Sequence, residues 1–173
     1  MKLLFISDCY VSETVFSSQV HTLCNVHSES FDVTLIALCG INDFLRPSPR
    51  HAKYKLIKRL RFPKLYIPWV SFVFSKISFL TKYYDNADAV HSRGHIGSGI
   101  ALNLAKNNPN NKIVADIRGA LDYEILATNL SKKYIYSRKC RSLELNIFKK
   151  INSFLFVSDN MKNFYMNRYN LTN

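Results

Sequence analysis

Apolar residues in this chain fall in short unbroken runs separated by stretches of helical spacing. Residues 3–7 are nearly all apolar and read as a strand covered on both faces. Residues 32–38 repeat that pattern, and Cys39-Gly40 ends it. Residues 54–61, 88–91, 113–117 and 153–157 read as four further strands. Between them, Val20, Leu23, Cys24 and Val26 recur at helical spacing after Ser17 and Ser18, either of which can cap a helix. Residues 42–52 hold Asn, two Pro and several charges, and read as a loop. Pro68 opens an aromatic-rich helix whose polar Ser71, Ser75, Ser78 and Lys82 form a narrow stripe. Residues 96–107 and 131–151 are helices by the same spacing, and another follows Ser158-Asp159. Strand and helix alternate throughout, which predicts an α/β domain: a parallel sheet with helices on both faces and right-handed crossovers.

Length and composition narrow this picture. A chain of 173 residues, 47% hydrophobic and 21% charged, suffices for one domain with a real core and is not disordered. Its net charge of +12 is unusual and unevenly placed. Residues 46–84 hold ten Lys/Arg and no Asp/Glu, and residues 131–150 hold seven basic residues against Glu144 alone. Such blocks attract nucleic acid, acidic lipid headgroups or phosphorylated substrates, or are simply solvated faces. Cys9, Cys24, Cys39 and Cys140 lack CxxC or zinc-finger spacing and read as reduced thiols of a cytoplasmic protein. The first apolar run is too short for a signal peptide, and no run approaches the roughly 18 to 20 residues that span a bilayer.

Candidate chemistry gathers where strands end, because ligands of open parallel sheets bind at strand carboxyl ends. After the first strand, Asp8 opens a loop that leads to Ser17 and Ser18, a suitable place for a phosphate or sugar hydroxyls. His91, Arg93 and His95 follow the fourth strand, and Asp116, Arg118 and Glu124 follow the fifth. Arg93 and Arg118 can hold a phosphate or carboxylate, or can pair with Asp116, Asp122 or Glu124. Gly94, Gly97 and Gly99 suggest a dinucleotide fingerprint, but GxGxxG needs a glycine at position 102, which is Leu102. His91 and His95 stand four apart without a carboxylate or thiolate set, so no metal is expected. GxSxG and GxxxxGK[ST] are absent, which removes the usual hydrolase and nucleotide-triphosphatase signatures.

Several of these pieces occur together in one known family. Lys2-Leu-Leu-Phe-Ile-Ser-Asp8, Ser17-Ser-Gln-Val-His-Thr-Leu23, Ala87-Asp-Ala-Val-His-Ser-Arg93, Val114-Ala-Asp-Ile-Arg-Gly119 with Glu124, and Glu144 through Ser153-Phe-Leu-Phe-Val-Ser-Asp-Asn-Met161 follow in order. This succession resembles the N-terminal half of retaining glycosyltransferases of family 4, which have the two-domain GT-B architecture. The resemblance implies a Rossmann-like, acceptor-side domain over residues 1–173. It further implies transfer of a sugar from a nucleotide-sugar to a saccharide or lipid-linked acceptor, as in cell-surface polysaccharide synthesis. Donor binding belongs to a C-terminal domain that this chain lacks, so the chain is expected to be inactive alone. No cofactor is implied. On this resemblance His91 or His95 contacts the reacting sugar. Asp8, Ser17, Ser18, Arg93, Asp116, Arg118 and Glu124 serve the substrate side. Two departures stand out: Ser17-Ser18 replaces a glycine pair, and Arg93 replaces a second His common among relatives.

The basic stretch over residues 46–84 fits peripheral contact with an anionic membrane at the inner face of the cell. Two other functions remain open from sequence. One is a non-catalytic half or remnant that docks with a separate donor-binding partner. The other is a basic nucleic-acid-binding module, which is not expected because no recognised nucleic-acid motif is present.

Overall fold

A computed structural model describes residues 1–8, 14–45, 47, 49, 51–60, 78–106, 108–109, 111–128 and 133–171. Six strands, β1 (Lys2–Ser7), β2 (Asp32–Cys39), β3 (Lys55–Leu60), β4 (Ala89–Arg93), β5 (Lys112–Ile117) and β6 (Ser153–Phe156), form one sheet. Their order is β3-β2-β1-β4-β5-β6, and every pairing is parallel. The sheet is thus Rossmann-like, and the order reverses direction between β1 and β4, where a crevice opens at the carboxyl ends.

Among the described residues seven helical segments accompany the strands: α1 (Phe16–His21 as a wide π-helical part, then Thr22–His27), α2 (Ile41–Leu45), α3 (Ser78–Asp85), α4 (Gly94–Ala105), α5 (Leu121–Leu126), α6 (Lys133–Lys150) and α7 (Asp159–Tyr169). Alternate strand residues face opposite ways, so each strand feeds two cores. On one face Leu4, Ile6, Ile36 and Val90 pack with Tyr84 of α3 and Ile100 and Leu104 of α4. On the other, Leu3, Phe5, Val33 and Leu35 pack with Phe16, Val20 and Cys24 of α1. A third cluster joins Ala115 and Ile117 of β5 to Ile147 and Phe148 of α6 and Tyr165 of α7. Helices therefore cover both faces, as the doubly apolar strands require.

The sequence reading needs three adjustments among the elements. Ser17 and Ser18 do not cap α1. The helix is already wound at residues 14 and 15, no side chain among the described residues caps it, and the Ser18 hydroxyl donates back to the Thr14 carbonyl at 2.8 Å. The stretch 42–52, read as loop, begins with α2, and residues 121–126, unassigned by periodicity, form α5. The aromatic helix expected from Pro68 lies outside the described residues up to residue 77; its last part, with Ser78 and Lys82, falls in α3. The last helix begins as its sequence implies: the Ser158 hydroxyl accepts from Met161 N at 3.2 Å. It ends at Asn170 in the left-handed region, with Leu171 N donating to Met166 O at 3.1 Å.

Two glycines set how α4 leaves β4. Gly94 has φ +70°, a conformation that side chains disfavour, and turns the extended Arg93 directly into helix. Gly97 lies so close to β1 that a Cβ there would stand 2.9 Å from the Ile6 carbonyl oxygen. Together they seat the amino end of α4 against the crevice.

Candidate functional site

A cleft of about 220 Å³ opens at the reversal point, lined by Asp8 after β1, Val15 of α1, and Arg93, Gly94, His95 and Ile96 at the β4–α4 junction. Arg118, Gly119, Leu121 and Glu124 complete it after β5. Of the residues singled out from sequence, Asp8, Arg93, His95, Arg118 and Glu124 meet here. Ser17 and Ser18 are exposed along α1 and do not line the cleft, because the helix starts upstream of them. His91 does not line it either. It lies two residues before Arg93 on the same face, roughly 6.6 Å deeper along the strand.

Asp116 organises the floor. Ser7, Arg93 and Asp116 occupy one cross-strand row at the carboxyl edge of the sheet. The Asp116 carboxylate is almost fully buried and accepts from Arg118 Nη2 at 2.6 Å and from Arg93 Nη1 at 3.5 Å. His91 Nε2 stands 3.6 Å from the same oxygen, beyond hydrogen-bond range, and has no hydrogen-bond partner among the described residues. Burial opposes the Asp116 charge, but the His91 ring and the Arg118 guanidinium outweigh it and hold the carboxyl below its ordinary value. Arg93 also bonds Gln19 of α1, a partner that sequence reading missed. One acid thus holds both arginines. The carboxylates of Asp8 and Glu124 stand on the same walls, so the cleft mixes donors and acceptors and is not a bare cationic anion hole.

His95 joins the cleft to a buried polar network behind it. Its Nε2 lies 3.1 Å from the Tyr165 hydroxyl and 3.4 Å from Glu144 Oε1. The Tyr165 hydroxyl donates to the Gly119 carbonyl at 2.8 Å, its shortest contact. With that proton committed, the ring nitrogen is the donor toward the tyrosine oxygen. Glu144, fully buried on α6, accepts from Tyr169 at 2.9 Å and lies 3.7 Å from Arg168. Arg168 bonds both oxygens of Asp122. Burial lowers the His95 pKa to about 4; Asp122 opposes that shift and Arg168 adds to it. Burial and the neighbouring Asp122 raise that of Glu144, against the hydroxyls and Arg168.

Sequence reading had no hold on Asp122, Tyr165, Arg168 or Tyr169 as a group, because they meet only when α5, α6 and α7 pack. One local signal existed for Glu144. It is the single acid of a basic helix and falls on the inward face with Cys140, Ile147 and Phe148. Among the described residues no three His, Cys, Asp or Glu side chains gather as a metal would need. No helix among them is long and apolar enough to cross a membrane.

No family model matches the chain, and no curated protein matches it. Solved structures do. Sucrose-phosphate synthase from Thermosynechococcus elongatus superposes with a TM-score of 0.66 at 12% identity, over 98% of this chain and 45% of that one. A putative UDP-N-acetylglucosamine 2-epimerase from Listeria monocytogenes gives 0.61 at 11% identity, over 96% and 42%. A UGT transferase from Siraitia grosvenorii, solved in complex with UDP, gives 0.57 at 12%, over 96% and 47%. The chain therefore has a fold found in GT-B structures and spans a little under half the length of the structures it matches.

Proposed function

We propose that this chain is the acceptor-side half of a GT-B glycosyltransferase, of the retaining family 4 type that its motifs resemble. The carrying observation is the cleft between Asp8, His95, Arg118 and Glu124 at the reversal point of the sheet. Sugar hydroxyls both donate and accept. They suit a wall that alternates carboxylates with a guanidinium better than a phosphate, which would meet Asp8 and Glu124 as like charges. The volume is below the roughly 300 Å³ typical of drug-sized ligands and fits one sugar unit. The likeness in fold to a sucrose-phosphate synthase, a UGT transferase solved with UDP and a UDP-N-acetylglucosamine 2-epimerase supports the same reading.

In this reading Arg118 donates to an acceptor hydroxyl, and Asp8 and Glu124 accept from others. Arg93 is held by Asp116 and Gln19 and shapes the floor. His95, kept neutral by burial and with its proton on the Tyr165 side, presents Nδ1 as an acceptor to a hydroxyl of the reacting sugar rather than a charge. His91 acts from beneath, through the position of Asp116. The nucleotide-sugar is held by a second domain, and stabilisation of the departing diphosphate comes from there. The acceptor is a saccharide or lipid-linked saccharide of cell-surface polysaccharide synthesis, met at the inner face of an anionic membrane.

Titration of the labelled chain with a panel of mono- and disaccharides, followed by NMR, tests the site. Shifts should cluster at residues 94–96 and 118–124 and weaken about tenfold or more in Arg118→Gln and Glu124→Gln, each the loss of a charged hydrogen bond. Saccharide shifts confined to other parts of the sheet would refute the assignment.

A further inference from the structure

The outward face of α6 has a composition that the cleft does not explain. At 100° per residue, the exposed positions of this 18-residue helix span about half its circumference. Arg138, Lys139, Arg141, Lys149 and Lys150 lie on that half, and none of them has an ion-pair partner among the described residues. No acid shares the face, since Glu144 points inward and is fully buried. A solvated helix face ordinarily mixes charges of both signs. Three apolar side chains stand among these cations: Tyr134 is 74% exposed, Ile135 54% and Leu145 38%. Tyr134 and Leu145 lie within about 20° of each other on the wheel, with Arg138 beside them.

We infer that this face of α6 is a docking surface for an anionic phospholipid bilayer. Cations in a plane attract lipid headgroups, and exposed aliphatic and tyrosine side chains enter the headgroup boundary beside them. Nucleic acid would use the cations but has no use for Ile135 or Leu145. The opposite face of the same helix brings Glu144 to 3.4 Å from His95, so docking α6 sets the cleft close to the bilayer surface. The inference deepens the membrane part of the proposal above. It does not depend on the cleft, since a chain that binds no saccharide would still dock.

Co-sedimentation of the purified 173-residue chain with phosphatidylcholine vesicles, with and without phosphatidylglycerol, tests it. Binding should require phosphatidylglycerol and fall steeply with added salt. At roughly fivefold in affinity per basic residue near the surface, Arg138→Gln/Lys139→Gln/Arg141→Gln should bind about a hundredfold more weakly. Tyr134→Ser/Ile135→Ser, with charge unchanged, should also lose binding, several-fold. All five positions are on the helix exterior or at its end, and an unchanged thermal melt verifies that the variants fold. Equal binding to both vesicle types overturns membrane docking altogether. Full binding by the triple variant, with loss instead in Lys55→Gln/Lys82→Gln, overturns the assignment to α6 and moves the contact to the stretch 46–84. Displacement from vesicles by a single-stranded oligonucleotide, together with no effect of Tyr134→Ser/Ile135→Ser, overturns lipid in favour of nucleic acid.

Discussion

His95 has a cost that appears only in acid. The unfolded chain takes up a proton on this ring near pH 6.5, whereas the folded chain holds it neutral down to about pH 4, through burial above all. Between those values the unfolded state binds more protons, so stability falls as pH falls. Glu144 has the opposite sign. Its raised pKa gives a contribution that is present below the ordinary carboxylate value and lost as pH rises. Replacing His95 by Gln isolates the first effect. Urea unfolding should show wild type losing roughly 2 kcal/mol more than His95→Gln between pH 7 and pH 4.5. Equal losses would mean that His95 is not held neutral in the folded chain. The residue was visible in the sequence as a ring at a strand end. Its neutral state was not, because the burial that causes it comes from Glu144 on α6 and Tyr165 on α7.

At the scale of elements, the crevice depends on how closely α4 approaches β1. Gly97→Ala would place a Cβ 2.9 Å from the Ile6 carbonyl oxygen, a backbone neighbour that cannot swing away. The variant should lose about 1–3 kcal/mol in urea unfolding. Full stability would show that α4 slides along the sheet and that the cleft is not fixed by this contact. Gly119→Ala makes an instructive contrast. Its Cβ would collide with Glu124 Oε1, the end of an exposed and flexible side chain, so the structure yields cheaply there but the cleft loses an acceptor. The strands themselves were legible, since each is an apolar run between breakers. The start of α1 was not. Ser17 and Ser18 look like caps, yet the helix that reaches back to residue 14 makes them interior positions: the Ser18 hydroxyl bonds back to the Thr14 carbonyl, and the Ser17 carbonyl accepts from the Thr22 hydroxyl.

For the whole molecule, the fold matches a little under half the length of each of these neighbours. On the proposed function, a retaining transfer needs both an oriented acceptor and a stabilised diphosphate leaving group, and the cleft would supply the first alone. Residues 1–173 by themselves should therefore transfer sugar from nucleotide-sugar donors at no more than background. A rate comparable to that of two-domain enzymes, measured on the purified chain, would show that the cleft serves donor and acceptor together.

The order of apolar runs and helical stretches determined the α/β class, the parallel sheet and the edge at which a ligand would bind. These follow from local periodicity, and a parallel sheet with covered faces is what such periodicity can bury. Local signals also marked Asp8, Arg93, His95, Arg118 and Glu124, because each follows a strand. Packing alone decided which of them share a cleft and in what state. It set Asp116 beneath both arginines, withdrew His91 and the two serines from the cleft wall, and closed Asp122, Glu144, Tyr165, Arg168 and Tyr169 into one network behind His95. The partners in that network lie 21 to 70 residues apart in the chain, and no periodicity spans such distances.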